Sequence, residues 1–485
     1  MKKIFVLFIA ILAVFSLGSC DPFGDNQTSN PDTNLNPPDE SVESTPPGLY
    51  DENDNLIASW KELVYVYGLD IERDLGAADF GTADNTLFYI LRNNVELSSA
   101  RTLVVDGSIK KIGANELNSI DPIERVILPD GLESMGGFGS NNTLIFNEYE
   151  NCRYLGSETN PYLVLVSQMD YTLKTYTIHN DTKVIGATAF YWCTSFTSID
   201  IPEGIRTIGH GAFANCSSLS SIILPDSLVN IEQSAFSRCE SLESITIPDG
   251  VANIGNYAFD FCTSLSDIKL PKNLAKIGYR AFGYCSSLET IKIPDGVKVV
   301  ESSTFEACTN LKNVTLPNDL VTIGGGAFIY CESLESINIP NSVTMIGLCA
   351  FIGCKSLKSI IIPDGVTAIY DGTFSGCSSL ESIIIPKCIS QIGESAFEDC
   401  SSLVSIVIPE KVNVIYGYTF RGCISLNDVA ICGKITGVGY GAFDSCVSLS
   451  QVYYVGGEDE WNSMFIDGLN DALENANIHF NYTTK

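Results

Sequence analysis

The chain has 485 residues, with 28 lysines and arginines against 58 aspartates and glutamates, so its formal net charge is −30. A polyanion of this kind repels phosphate backbones and anionic lipid headgroups, which argues against nucleic acid or a membrane surface as a partner. Hydrophobic residues make up 45% of the chain, enough for a large core.

Residues 1–19 have the parts of an export signal. Lys2 and Lys3 precede an apolar run over residues 4–17 that is too short to span a bilayer comfortably. The ending Leu17-Gly18-Ser19-Cys20 resembles a bacterial lipobox. The resemblance implies cleavage before Cys20 and attachment of lipid to that residue, which would be the only link to a membrane. We therefore expect an exported protein, anchored to the outer membrane and facing the exterior.

The next two segments precede the regular part of the chain. Residues 20–49 are rich in Asp, Asn, Ser, Thr and Pro, and this composition predicts a disordered tether. Residues 50–105 are predicted to form an N-terminal cap. Within it, Ser59 and Glu62 have the spacing of a capping box that opens a helix.

A 23-residue repeat dominates residues 106–456. Phenylalanine recurs at this interval from Phe190 to Phe443, and a proline follows at a fixed spacing in each unit, from Pro202 to Pro409. Cysteine keeps the same period, three positions after each phenylalanine. The positions are Cys193, Cys216, Cys239, Cys262, Cys285, Cys308, Cys331, Cys354, Cys377, Cys400, Cys423 and Cys446.

Residues 242–265 show how one unit is built. Leu242, Ile245 and Ile247 have the spacing of a leucine-rich-repeat strand, and Pro248 ends it because proline has no backbone donor for a ladder. Apolar residues then recur three and four apart, which favours a short helical or 3₁₀ turn. Stacked units would form a parallel sheet with about 4.8 Å between strands and the phenylalanines stacked inside.

The pattern I-P-x-x-V-x-x-I-G-x-x-A-F-x-x-C-x-S-L resembles the BspA-like leucine-rich repeats of bacterial surface proteins. The match is strong over about 184–454. It implies a β-rich solenoid with one parallel sheet on its concave face, short helical or 3₁₀ turns on the other wall, and a cap at both ends. We interpret 137–178 as an irregular unit with a protruding loop, and 457–485 as the C-terminal cap.

No catalytic or metal constellation is recognisable. The cysteines of the repeat share one inner column with parallel Cβ directions, which favours buried free thiols over disulfides. The chain has no C-x-x-C pair and only three histidines, His179, His210 and His479, none with an evident catalytic partner. We therefore predict no metal, no cofactor and no enzymatic activity.

Two columns of side chains should point outward from the sheet. The first, from Ser198 to Asp428, is small and polar. The second changes along its length: two lysines occur in its middle and an apolar stripe near its end. These candidate ligand-binding residues are Lys269, Lys292, Ile361, Ile384, Val407 and Ala430. An exposed apolar stripe often marks a protein interface, but branched residues also stabilise neighbouring strands, and both interpretations stay open.

The family resemblance implies an adhesin-like surface protein that binds host extracellular-matrix proteins or other bacteria. A second possibility is a scaffold that binds another surface protein of the same cell envelope. A glycan partner is less expected, because neither outward column contains an aromatic platform.

Overall fold

The computed structural model describes residues 45–65, 69, 94–113, 117, 120–137 and 144–483. The predicted signal peptide, Cys20 and most of the predicted tether lie outside these residues. Over the described ranges, no helix is both long enough and apolar enough to cross a membrane.

The N-terminal region forms a small sheet with its own core. Its elements are β1 (Gly48–Tyr50), β2 (Leu56–Ser59), α1 (Trp60–Tyr65), a 3₁₀ turn (Val95–Leu97), β3 (Thr102–Val104), β4 (Lys111–Ile112), β5 (Arg125–Ile127) and β6 (Ser134–Met135). One sheet has the order β2-β1-β3-β5, and β4 pairs with β6. The predicted capping box is confirmed: the Glu62 carboxylate accepts hydrogen bonds from the Ser59 backbone and hydroxyl, each at 2.8 Å.

Within the irregular unit, the described residues from Asn147 to Gln168 form an antiparallel meander. The segment that begins at Cys152, which we interpreted as part of a protruding loop, is instead a strand with a buried cysteine. The strands of the meander are β7 (Asn147–Tyr149), β8 (Cys152–Leu155) and β9 (Val164–Gln168). Alternate side chains of β9 enter different cores: Leu165 faces the repeats, whereas Val164 and Val166 face the N-terminal core. Strand β9 is stabilised in this position because both of its faces bury apolar surface.

From Val184 onward the repeats form two parallel strand ladders. Where neighbouring strands of the first ladder are hydrogen-bonded, equivalent outward side chains lie side by side, as in the pairing of Ile361 with Ile384. The backbone pairing of this ladder is interrupted between some units. The strands of the first ladder are Ser198–Asp200, Ser221–Ile223, Ser244–Thr246, Asp267–Lys269, Thr290–Lys292, Asn313–Thr315, Ser336–Ile337, Ser359–Ile361, Ser382–Ile384, Ser405–Ile408, Asp428–Ile431, Gln451–Tyr454 and Asn477–His479.

The second ladder lies after the proline turn, where two extended residues per unit pair with the next unit. We expected one sheet, and the structure adds this narrower one because the residue before each inward isoleucine is also extended. Its strands are Val184–Ile185, Thr207–Ile208, Asn230–Ile231, Asn253–Ile254, Lys276–Ile277, Val299–Val300, Thr322–Ile323, Met345–Ile346, Ala368–Ile369, Gln391–Ile392, Val414–Ile415, Gly437–Val438 and Phe465–Ile466.

The remaining wall consists of tight turns. Asp260 and Cys262 donate to the carbonyl three residues earlier, at 3.1 and 3.2 Å, as in a 3₁₀ helix. The alternate residues Tyr257, Phe259 and Phe261 instead donate their N–H groups to the next unit at 2.8 Å. Tyr257 and Phe261 have φ of 57° and 60°. Left-handed residues thus direct alternate N–H groups along the solenoid, which satisfies the buried backbone.

A continuous aromatic stack fills the interior. Twelve phenylalanines from Phe190 to Phe443 are fully buried, and neighbouring ring centroids lie 5.1–5.7 Å apart with planes within 23°. These distances suit offset stacking. Each ring between Phe190 and Phe443 is covered by the rings of both neighbours, so no inner unit buries its own phenylalanine alone.

The column cysteines are free thiols hydrogen-bonded between units. Eleven of them, from Cys216 to Cys446, lie with Sγ 3.0–3.2 Å from the carbonyl oxygen of the phenylalanine of the preceding unit. The Phe236 carbonyl, for example, accepts both the Cys239 backbone N–H and the Cys262 thiol. Cysteine therefore serves as a small apolar residue that also satisfies a buried carbonyl.

The C-terminal end is closed by α2 (Glu458–Asn462), α3 (Asp471–Glu474) and the last strand of each ladder. Leu473 is fully buried, and Trp461, Met464 and Phe480 pack against the main core. The buried Asn470 side chain accepts a hydrogen bond from the Phe443 N–H at 3.0 Å and replaces the missing next unit. The segment covers the last exposed face of the repeat core.

We predict that Phe305→Ala destabilises the units around it by about 3–5 kcal/mol, because it removes one ring from a stack that cannot collapse around the gap. Hydrogen exchange should accelerate in the peptides that contain Phe282 and Phe328. Tyr416→Ala, which removes a 42% exposed ring, is the control and should leave exchange in the core unchanged. Equal protection of wild type and Phe305→Ala would contradict the proposed role of the stack.

Candidate ligand-binding face

The apolar residues of the second outward column project from the first ladder. Ile361, Ile384 and Val407 expose 63%, 60% and 56% of their surface, and Ala430 is half-buried. Ile361 pairs directly with Ile384, and Val407 with Ala430. The strands of Ile384 and Val407 are in contact but are not hydrogen-bonded to each other within a sheet. The two pairs therefore follow each other along the surface, and we call these four residues the apolar stripe.

The row continues into an aromatic cluster that the sequence interpretation missed. Tyr453 pairs with Ala430 on one side and with His479 on the other. Its ring stacks on His479 with centroids 4.7 Å apart, and Tyr482 lies 5.2 Å away. The period alone could have identified Tyr453, which follows Ala430 by one repeat. His479 and Tyr482 lie in the cap, where no repeat spacing marks them.

His479 is held in place by amide side chains. Its Nε2 lies 2.7 Å from Oε1 of Gln451 and 3.1 Å from Nδ2 of Asn477. The Asn477 amide also donates to Gln451 at 3.3 Å. The end of the row therefore combines an aromatic surface with oriented polar groups.

The two candidate lysines lie on separate strand pairs. Lys269 pairs with Thr246, and Lys292 pairs with Thr315. The strands that carry the two lysines are not hydrogen-bonded to each other within a sheet. Both side chains are exposed and, within the described part of the chain, neither forms an ion pair.

Burial makes the column thiols poor nucleophiles. It raises the pKa of Cys193 to about 11 and that of Cys377 to about 12, so both are protonated near neutral pH. Cys152, which begins β8 of the meander, has a pKa raised to about 12 for the same reason. No cluster of three or more potential metal-ligating residues is found in the described ranges.

Two clusters on the turn wall place an arginine between two acids from different units. Arg280 Nε lies 3.0 Å from Asp260, its Nη1 lies 3.7 Å from Glu306, and all three side chains are at most 16% exposed. Glu398, Arg421 and Asp444 repeat the arrangement with separations of 3.0 and 3.4 Å. Gly283 leaves room for the cluster around Arg280, because a Cβ at residue 283 would lie 2.6 Å from the Arg280 side chain.

The repeat region matches a known family. The description "BspA type Leucine rich repeat region" fits residues 168–254, 230–357 and 321–450, in six copies. Together these cover residues 168–450, which is more than half of the chain. The chain therefore belongs to the BspA-type leucine-rich-repeat family, a class whose solenoid is typically a non-catalytic scaffold for protein interactions.

Two solved structures with leucine-rich repeats are similar to the chain. A leucine-rich repeat protein from Bacteroides ovatus is 29% identical, covers 69% of this chain and 90% of its own, and has a TM-score of 0.54. A leucine rich cell surface protein from Faecalibacterium prausnitzii is 25% identical over 67% of this chain and 99% of its own, with a TM-score of 0.42. Among the curated proteins, none matches the chain.

We predict that Arg280→Ala destabilises the units near it by about 3–5 kcal/mol at pH 7.5, because two buried carboxylates lose their counter-charge. Burial raises the pKa of Asp260 from 3.8 to about 6. The folded state therefore binds this proton more tightly than the unfolded state. The resulting stabilisation is present below about pH 4 and is lost as pH rises through about 6.

The destabilisation caused by Arg280→Ala should therefore be smaller at pH 5 than at pH 7.5, because Asp260 takes up a proton between these pH values. The free energies of local unfolding, measured by hydrogen exchange at the two pH values, give this difference. Lys298→Ala breaks an exposed pair with Asp319 and should cost less than about 1 kcal/mol at either pH. A pH-independent loss in Arg280→Ala would contradict the role of Asp260.

We also predict that two thiols react rapidly with an aromatic disulfide reagent in the folded chain from Asp21 to Lys485. Cys388 and Cys432 are half-buried, whereas the other described cysteines are buried. All 16 thiols of this chain should react after unfolding without reductant. A smaller number after unfolding would reveal disulfides, and a larger number before it would show that the column is accessible.

Proposed function

We propose that the protein is a lipid-anchored, adhesin-like binding protein of the cell surface, and not an enzyme. Its partner would be a host extracellular-matrix protein or a surface protein of another cell. The observation that carries the proposal is the row of exposed apolar side chains on the first ladder. Three neighbouring aliphatic residues that are each more than half exposed form a contiguous patch of the kind found at protein interfaces.

The proposal draws further support from the rigidity of that row. Every residue of the apolar stripe lies on a strand with inward neighbours that pack into the core, such as Ile360 and Ile406, each at most 3% exposed. A partner would therefore meet side chains that are already ordered, which lowers the entropic cost of binding. The aromatic cluster of Tyr453, His479 and Tyr482 extends the row, and aromatic residues are enriched at interfaces.

The location is proposed from the start of the chain. Lipid on Cys20 would hold the protein at the envelope, and the tether predicted for residues 20–49 would connect that residue to the N-terminal cap. The F. prausnitzii protein described above is named as a cell surface protein, and the surface is where an adhesin must act.

The test is binding of the unacylated chain, Asp21 to Lys485, to immobilised matrix proteins, whole bacterial cells, envelopes of the source cell and glycans. A triple variant, Ile361→Lys, Ile384→Lys and Val407→Lys, should lose more than tenfold in affinity for a matrix protein or for other cells. Each aliphatic side chain buried at an interface contributes about 1 kcal/mol or more, and about 1.4 kcal/mol is tenfold.

The matched control is Val321→Lys, Ile424→Lys and Val447→Lys. It adds the same charge at three exposed aliphatic residues outside the first ladder. Retained affinity in this variant, with circular dichroism unchanged in both, would assign the loss to the apolar stripe. Binding only to envelopes of the source cell would replace the adhesin proposal with an envelope scaffold. Equal binding by wild type and stripe variant would reject the stripe as the site.

A further inference from the structure

A cleft of about 540 Å³ lies where the N-terminal region packs against the first regular units. Its lining comes from both sides: Asp130, Gly131 and Leu132 on one, and Lys183, Gly204, Arg206, Ser227 and Val229 on the other. The two sides are fixed together, because the Thr207 hydroxyl donates to the Glu133 carbonyl at 2.7 Å and the Ala187 N–H to the Met135 carbonyl at 3.1 Å. The cleft is therefore a built feature of the fold.

Two cations line this cleft without an acidic partner among the described residues. Lys183 and Arg206 are one repeat apart and occupy equivalent positions in neighbouring units, where the Arg206 N–H donates to the Lys183 carbonyl at 2.8 Å. Like charges on adjacent strands destabilise each other unless a counter-charge is present. Over the described residues, neither side chain forms an ion pair, although the chain carries 58 acids.

A later unit has a cation at the position equivalent to Lys183 and Arg206, and that cation has an acidic partner. Lys298 lies four units after Arg206, and its ammonium pairs with Asp319 of the next unit at 3.3 Å. The corresponding residues for Lys183 and Arg206 are Gly204 and Ser227. Of the three cations in this column of the regular units, only Lys298 therefore has an acid at the position 21 residues later, whereas Lys183 and Arg206 have an uncharged residue there.

The N-terminal region has the same arrangement of a cation and an uncharged residue. Gly131 stands in the same relation to Lys110 as Asp319 does to Lys298, and the Lys110 ammonium donates to the Gly131 carbonyl at 3.3 Å. A Cβ on Gly131 would lie 2.5 Å from the Lys110 nitrogen, and one on Gly204 would lie 2.7 Å from the Lys183 nitrogen. Lys183 and Arg206 thus line the cleft, Lys110 contacts its lining residue Gly131, and the two glycines leave room for the two ammonium groups.

The only acid in the lining, Asp130, pairs with neither cation. Its carboxylate accepts hydrogen bonds from the hydroxyls of Ser157 and Thr159. The other acids of this polyanionic protein act on the cleft only at short range, because the Debye length at physiological ionic strength is about 8 Å. A local anion site is therefore compatible with the net charge of −30.

We propose that this cleft binds an extended peptide segment of a partner through a carboxylate side chain placed between Lys183 and Arg206. Arginine offers a paired set of donors that matches a carboxylate, and lysine adds a second charge. Leu132 and Val229 supply an apolar floor for an aliphatic residue next to the acid. The lining contains no aromatic ring on which a sugar could stack, and its volume suits a short stretch of peptide.

The test uses the chain from Asp21 to Lys485 and a set of acetylated pentapeptides with glutamate at the centre and Leu, Val or Ile on either side. Matched peptides with glutamine in place of glutamate measure the contribution of the charge. We expect the glutamate peptides to bind at least tenfold more tightly than the matched glutamine peptides. Affinity should fall as NaCl rises from about 50 to 500 mM.

Variants of the cleft test whether the peptides bind there. Lys183→Gln with Arg206→Gln should abolish the preference for glutamate, whereas Lys358→Gln with Lys411→Gln, the same charge change at two exposed lysines outside the cleft, should preserve it. Ser227→Asp places a carboxylate at the position equivalent to Asp319, opposite Arg206. It should bind the glutamate peptides at least tenfold more weakly while unfolding at the same temperature as wild type or higher.

The apolar-stripe variant should bind these peptides as wild type does, so the result is independent of the adhesin proposal. Equal binding of glutamate and glutamine peptides would overturn the carboxylate site. So would binding by Ser227→Asp at wild-type strength, or the failure of every peptide. Binding of uronic-acid oligosaccharides with no binding of peptides would show that the cleft recognises a carboxylate of another kind of ligand, and would also overturn the proposal.

Discussion

Every unit of this solenoid depends on its neighbour to bury one phenylalanine and satisfy one carbonyl. The Phe259 ring lies between Phe236 and Phe282, with centroids 5.3 and 5.5 Å away. Its carbonyl accepts the thiol of Cys285 from the next unit at 3.2 Å. A unit in isolation would expose the ring and leave the thiol without an acceptor, so stability comes from contacts between units. The strict period follows, because a shift by a single position would break both contacts.

The same dependence explains the ends of the array. A terminal unit has one face without a neighbour, and the chain must cover it with something other than a repeat. At the C-terminal end, Asn470 supplies the hydrogen bond that a further unit would have made, and Leu473 fills the core. At the other end, the meander covers the first units with Cys152, Tyr154 and Leu165. Its strand β9 then offers its opposite side to a second core.

Sequence periodicity predicted the features that recur and missed those that do not. The stack from Phe190 to Phe443 and the capping box at Ser59 could be read from spacing alone. The second ladder could not, because two extended residues per unit are too few to give an alternating pattern. Nor could the left-handed residues, which include Tyr257 and Phe261 and are therefore not marked by glycine. The meander was interpreted as a loop, since its antiparallel pairing follows no repeat.

The candidate sites illustrate the same limit. The apolar stripe follows from periodicity, but its extension to His479 depends on how the cap folds back on the last unit. The cleft joins Asp130 and Arg206 across the irregular unit, where the register slips and spacing predicts no contact. The lack of an acidic partner for the cations of the cleft is visible only by comparison between units: Lys298 pairs with Asp319, whereas the equivalent residue for Arg206 is Ser227. In a protein whose interior is fixed by repetition, the surface positions that depart from the repeat are the ones free to be selected for a partner. Specific recognition is therefore most reasonably sought where the pattern is broken.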